Sequence, residues 1–186
     1  MNKLTMIFLT LLVLSGCATR PCAYIAIGER VCLAPLPVQA PFAQRNEMIV
    51  ASSAQGPLMA LAQTQWDSQR YASAVTTAFG QRLYVLSYDG KIIQFEQSDL
   101  PLPIRAENVM LDTQLMWWPL ALLQMHLPSS ARLIEFDDGA HRVRELWWQD
   151  QKRIRIVYQQ EDGAAVVNYE QLGLHYQLLI KEVPDA

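Results

Sequence analysis

Leu83-Tyr84-Val85-Leu86-Ser87-Tyr88-Asp89-Gly90-Lys91-Ile92-Ile93-Gln94-Phe95-Glu96 sets two short apolar runs on either side of an Asp-Gly pair. Glycine reaches positive φ without a Cβ clash and aspartate tolerates the same region, so the pair favours a tight turn that folds the flanking strands into an antiparallel hairpin. The same punctuation recurs downstream. Asp137-Asp138-Gly139 stands between Leu133 to Phe136 and Val143 to Trp148, and Glu161-Asp162-Gly163 follows. Upstream, Met48 to Ala51, Leu58 to Trp66 and Tyr71 to Ala78 are further apolar and β-branched runs of strand length. The last run alternates: Leu172, Leu174, Tyr176, Leu178 and Ile180 share one side, and Gly173, His175, Gln177 and Lys181 the other, with only Leu179 out of step. Alternation of this kind belongs to a strand with one buried face and one wet face.

One region breaks the period of two. Ala106 to Met116 carries Val109, Met110, Thr113 and Met116 at helical spacing with acids at Glu107 and Asp112, and Pro119 opens a second helical stretch that runs to His126 before Pro128 stops it. The fold class expected is therefore mainly β: a sheet of about ten antiparallel strands, which must curl or be capped, with one helical insertion carrying Trp117-Trp118. Trp147-Trp148 sits on a strand, where neighbouring side chains point to opposite faces. One of those two rings must leave the core face, to lie under the helical lid, to be covered by a neighbouring loop or strand, or to form a contact patch.

The N-terminus reads as an export signal: Met1-Asn2-Lys3 is a short positive leader, and Leu4 to Leu14 is an apolar run interrupted only by Thr5 and Thr10. That run falls short of the roughly 20 residues a membrane-spanning helix needs. Three segments follow from this reading: a signal peptide over residues 1–16, a tether over 17–45 containing Pro21, Pro35, Pro37 and Pro41, and a β domain over 46–186. Cys22 and Cys32 either form a disulfide closing a small loop in an oxidising compartment or remain as two thiols.

The chain has 15 basic and 18 acidic side chains, a net charge of −3 at pH 7 with the basic residues scattered, which argues against a nucleic-acid partner. Neither Cys22 nor Cys32 belongs to a CxxC or Cys/His cluster, so no metal site is expected. No Gly-x-Ser-x-Gly elbow, phosphate-cradling glycine loop or His-Glu-x-x-His occurs. His126, His141 and His175 stand far apart in sequence, and Asp137-Asp138 suits a hairpin tip better than acid–base work. No enzymatic activity and no cofactor are expected.

Leu14-Ser15-Gly16-Cys17 resembles the lipobox of bacterial lipoprotein precursors, in which the cysteine is acylated and becomes the first residue. Ala18 stands where inner-membrane retention usually follows an aspartate, so that resemblance implies the periplasmic face of the outer membrane. The element order, with Trp117-Trp118-Pro119-Leu120-Ala121-Leu122-Leu123-Gln124-Met125-His126-Leu127-Pro128 at its centre, resembles the LolB family of outer-membrane lipoproteins, which receive other lipoproteins and insert them. Leu111-Asp112-Thr113-Gln114-Leu115 before it and Tyr84-Val85-Leu86-Ser87-Tyr88-Asp89-Gly90 upstream make the chain still more similar to a family of small bacterial lipoproteins of undefined function. Members of that family are often encoded beside genes for aryl polyene lipid biosynthesis.

The resemblance implies a LolA/LolB-like incomplete β-barrel, capped by helices, whose apolar cavity takes acyl chains of lipids or lipoproteins, with a periplasmic carrier protein as a possible partner. The lining expected is Leu83, Val85, Trp117, Trp118, Leu120, Leu123, Tyr158 and Tyr176, with lipidation at Cys17. Thr77-Ala78-Phe79-Gly80 matches the loop through which LolB touches the membrane, so Phe79 is the candidate contact, or else an aromatic packed beneath its turn. Ala78 replaces the proline that precedes that residue in LolB. The other class of function left open is a structural or interaction lipoprotein whose sheet is packed solid.

Overall fold

The computed structural model describes residues 20–40, 42–98 and 105–183; the signal peptide and Cys17 lie outside them. Among the described residues, twelve strands and two helices follow one another. They are β1 (Cys22–Ala26), β2 (Glu29–Cys32), β3 (Gln44–Ser53), β4 (Gly56–Trp66), β5 (Tyr71–Thr77), β6 (Arg82–Tyr88), β7 (Ile93–Gln97), α1 (Ala106–Trp117), α2 (Leu120–His126), β8 (Ala131–Asp138), β9 (His141–Trp148), β10 (Gln151–Glu161), β11 (Ala164–Gln171) and β12 (Tyr176–Glu182). Strands β3 to β12 make one antiparallel sheet in the order β7-β6-β5-β4-β3-β12-β11-β10-β9-β8, open between β7 and β8. The mainly β architecture with a helical insertion is thus the one its hairpin signals predict. The curved sheet stays open, its first and last strands being separated by the helices in sequence and by eight strands in the sheet.

One face of the sheet is apolar and covered. Trp66, Tyr71, Val75, Leu86, Tyr88, Leu133, Leu146, Ile156, Val167, Tyr169 and Ile180 are buried there with Met110, Leu111 and Leu115 of α1. Register explains the selection, because residues opposite each other across an antiparallel pair share a face. Trp66 pairs with Tyr71, which pairs with Tyr88; Ile156 pairs with Tyr169, which pairs with Leu178. Leu179, the residue out of step, lies on the other face, opposite Val50.

The segment 17–45 differs from the extended tether its prolines suggest. Residues 22–32 form the β1–β2 hairpin, closed by a Cys22–Cys32 disulfide, and Ala23, Ile25, Val31, Leu33 and Ala34 are buried in the same core as the sheet. The physical reason is hydrophobic: these are alternating apolar residues, and burial of each large side chain is worth about 1.5–3 kcal/mol, more than the local proline content opposes. The hairpin lies against α1 and β10. Gly173 makes the fit: a Cβ there would stand 2.1 Å from the carbonyl oxygen of Ile25, so no side chain can occupy that position without moving backbone.

The antiparallel order sends the connections to two rims. The turns 54–55, 78–81, 149–150 and 172–175 share the upper rim, and 67–70, 89–92, 139–140 and 162–163 share the lower one. The β1–β2 turn is at the upper rim, because Ile25 meets Gly173 and Glu29 pairs with Arg153 at the start of β10. The lower rim is acidic: Asp67, Asp89, Asp137, Asp138, Glu161 and Asp162 are exposed there, against Arg70, Lys91 and Arg142. Two of those carboxylates shape their own turns, Asp67 accepting from the amides of Gln69 and Arg70 and Asp89 from those of Lys91 and Ile92. The upper-rim turns and the strand residues beside them carry Glu29, Asp150 and Glu170 against Arg30, Arg82 and Lys152, in balance.

Candidate functional site

The concave face and its lid are where the expected lining residues fall. Leu83, Trp118 and Leu123 are buried in the core, and Trp117, Leu120, Tyr158 and Tyr176 pack against it partly buried. Val85 is elsewhere. A bulge shifts the β5–β6 register at Leu83, and Val85 pairs with Ala74 and Glu96 on the opposite face from Tyr84 and Leu86. Leu83 and Val85 therefore do not share a side, although their spacing of two predicts it.

Trp118 is the centre of the arrangement. It is 1% exposed and its ring centroid lies 5.2 Å from that of Trp66 and 6.3 Å from that of Tyr88. Phe42 packs edge-on to Trp66 at 5.4 Å and to Trp117 at 6.4 Å, and the Arg45 guanidinium sits 3.9 Å from the Trp117 centroid. The indole N–H groups of Trp66 and Trp118 are buried and have no hydrogen-bond partner among the described residues. Buried donors of this kind cost free energy when unmet. Two hollows of about 340 and 360 Å³ lie on the strands β3, β10, β11 and β12 and at the upper rim, and of the expected lining residues only Tyr176 borders either.

Polar contacts hold the lid on. Arg144 of β9 reaches the C-terminal end of α1 and donates to the carbonyls of Leu115 at 2.7 Å and Trp118 at 3.0 Å, while its other nitrogens pair with Glu135 at 2.7 and 2.8 Å. The Tyr158 hydroxyl donates to the carbonyl of Met116 at 2.7 Å. These groups satisfy carbonyls that the end of a helix leaves without partners. On the other side of α1 the Gln114 side chain makes a two-way clasp with Ala34, accepting from its N–H and donating to its carbonyl, both at 2.9 Å, and Asn108 donates to the carbonyl of Tyr24 at 2.7 Å. Helix α1 is thus sandwiched between sheet and hairpin, which is why even its polar residues Asp112, Thr113 and Gln114 are buried.

Asp112 accepts hydrogen bonds from the hydroxyls of Tyr169 and, at 2.5 Å, of Tyr176. Burial pushes its carboxyl up to about 7, against the lowering effect of the two tyrosines. Glu47 is raised to about 7 by burial as well, opposed by Arg45 and reinforced by Glu182. Both groups release their proton in the unfolded chain near the ordinary carboxyl value of about 4 and in the folded chain near neutrality. Their stabilising contribution is therefore complete below about pH 4 and is lost as pH rises to about 7, at up to about 1.4 kcal/mol per pH unit per group. Asp112→Asn removes one of the two. Urea denaturation of both proteins at pH 4.5, 6 and 8 is expected to show the parent losing its advantage over the variant steadily with rising pH; parallel curves would refute the assignment.

Phe79 stands 98% exposed at the tip of the β5–β6 turn. The turn is well made: Thr77 Oγ1 accepts from the amides of Phe79 and Gln81, and Gly80 takes φ +78°. The reading in which Phe79 packs beneath its turn does not hold. Trp147 and Trp148 part as alternation requires. Trp148 joins the core cluster, and Trp147 lies on the outer face, its indole donating to Glu145 at 3.0 Å with the cations of Arg132 and Lys152 over its ring. Long basic side chains, rather than the lid, cover it. His126, His141 and His175 sit on α2, at the start of β9 and in the β11–β12 turn. Among the described residues no three His, Cys, Asp or Glu side chains converge as metal ligands would. No described helix is long and apolar enough to cross a membrane.

Sequence reasoning missed Arg144, Gln114 and Asp112 as the groups that tie the lid. Each lies in an element that the sequence predicts, and each contacts a partner distant in sequence, so no local pattern marks it. A family model described as a protein of unknown function (DUF3261) matches residues 44–184, from the first residue of β3 to just past β12. No curated protein matches the chain.

Proposed function

This chain belongs to that family of undefined function, and from that premise we propose that it is a lipoprotein, acylated at Cys17 and held at the periplasmic face of the outer membrane, that binds or transfers acyl chains of lipids or lipoproteins and performs no catalysis. The observation that carries the proposal is the concave face itself: an open curved sheet whose apolar aromatic side is closed by a separate lid, with the indole N–H donors of Trp66 on the sheet and Trp118 on the lid lacking acceptors among the described residues. An acyl chain that displaces the lid leaves water for that face, at about 0.8 kcal/mol per CH₂, and an ester or carboxylate oxygen supplies the acceptor that Trp66 and Trp118 lack. Phe79, exposed on a firm turn, would touch the bilayer during transfer. The LolB-like resemblance agrees with this reading, and a periplasmic carrier protein is the natural donor.

Titration of the Cys17→Ser chain with a fluorescent fatty-acid analogue, and with a lipoprotein cargo, is expected to show saturable binding with quenching of tryptophan emission. If neither ligand binds while circular dichroism shows the fold intact, the proposal fails. That result would select the second reading, an interaction lipoprotein docked on an envelope assembly, which has the filled space around Trp118 in its favour.

A further inference from the structure

We propose that the molecule meets the bilayer end-on through its upper rim, with Ile27 as a second inserting side chain beside Phe79. Ile27 is 98% exposed at the tip of the β1–β2 turn, as exposed as Phe79, and among the described large apolar side chains only Val38, at 93%, comes near them. Both stand on tight turns that need glycine at positive φ, Gly28 at +79° and Gly80 at +78°, so each side chain is presented on a short, well-defined loop. Full exposure of a large apolar side chain at such a tip has no stabilising role in the folded chain alone.

The contacts of the hairpin put the two tips on the same rim. The close approach of Gly173 to Ile25 and the pairing of Glu29 with Arg153 fix the hairpin turn at the upper rim, which the β5–β6 turn shares. The disulfide, at the far end of the hairpin, prevents its strands from parting. The charge distribution then chooses the orientation: acidic and basic side chains balance at the upper rim, whereas the excess carboxylates of the lower rim would be repelled by an anionic leaflet and would lose hydration on approach. Cys17 stands five positions before Cys22, a reach of up to about 17 Å, which is comparable with the length of β1. An acylated Cys17 can therefore lie at the level of Ile27.

The inference rests on the membrane-anchored reading above, and the test separates the two. Full chain is incubated with vesicles of phosphatidylethanolamine and phosphatidylglycerol, carrying an environment-sensitive dye on a single introduced cysteine in Ile27→Cys, Phe79→Cys or Asp162→Cys. Dyes at 27 and 79 are expected to brighten severalfold and to be quenched by nitroxides near the lipid headgroups, whereas the dye at 162 remains quenched by aqueous iodide. A dye at 27 that stays in water, or one at 162 that enters the lipid, overturns the inference. Hydrogen exchange of the unlabelled chain provides a second measurement, since slower exchange on vesicles is expected over 26–28 and 78–81 but not over 161–163. Mass analysis of Cys17 scores the anchor separately: an unacylated Cys17 removes the lipoprotein reading, and the dye positions still decide which rim meets the vesicle.

Discussion

Arg144→Ala is expected to destabilise the protein by about 3–5 kcal/mol, the range for removing one partner of a buried ion pair. The loss has two parts. Glu135, mostly buried beside it, keeps a carboxylate with no cation, and the carbonyls of Leu115 and Trp118 at the end of α1 lose their donor. Arg144→Lys is expected to recover little, because a single ammonium group cannot serve a carboxylate and two carbonyls in the planar fork that guanidinium offers. Arg144→Met combined with Glu135→Leu is expected to be less harmful than Arg144→Ala alone, since it removes both charges and leaves only the helix end unsatisfied. Chemical denaturation of the three variants checks the order; a loss below 1 kcal/mol for Arg144→Ala would mean that the helix end is held by Tyr158 alone.

The second large effect is expected at Trp118. Trp118→Ala empties the space between Trp66, Tyr88 and the lid, at a cost of about 3–5 kcal/mol. Trp118→Phe is expected to cost much less, because a ring still fills most of the space and the unpartnered indole N–H disappears with the substitution. Thermal or urea unfolding measures both. Equal losses for the two variants would show that the indole N–H does have an acceptor in solution. The pair also bears on function: a chain that binds acyl groups through the Trp118 N–H should lose affinity for a fatty-acid analogue in Trp118→Phe while its fold remains intact.

Much of the sheet was legible because its signals are local. Asp89-Gly90, Asp138-Gly139 and Asp162-Gly163 each mark a hairpin turn with glycine at positive φ, and the alternation Tyr176, Leu178, Ile180 assigns the buried face of β12 without any knowledge of its neighbours. The two helical stretches were legible for the same reason, one from 3.6-residue spacing and the other from Pro119 as its cap. Even so, the last alternating run predicts a strand from Leu172, whereas β12 begins at Tyr176. Residues 172–175 turn instead, with the Gln171 side chain accepting from the amides of Gly173 and Leu174.

What the sequence by itself determined is the kind of structure: an antiparallel sheet built of hairpins, interrupted once by helices. Those features depend on periods of two and 3.6 and on glycine at turns, all of which act within a few residues. Only the tertiary structure decided that residues 22–34 belong to the core, that Val85 leaves the face of Leu83, that Asp112 is buried between two tyrosines, and that Ile27 and Phe79 share a rim. The bulge at Leu83 arises in its pairing with β5, the other outcomes join residues far apart in the chain, and the free energy that selects them comes from burial and polar pairing across the fold, which no local pattern carries.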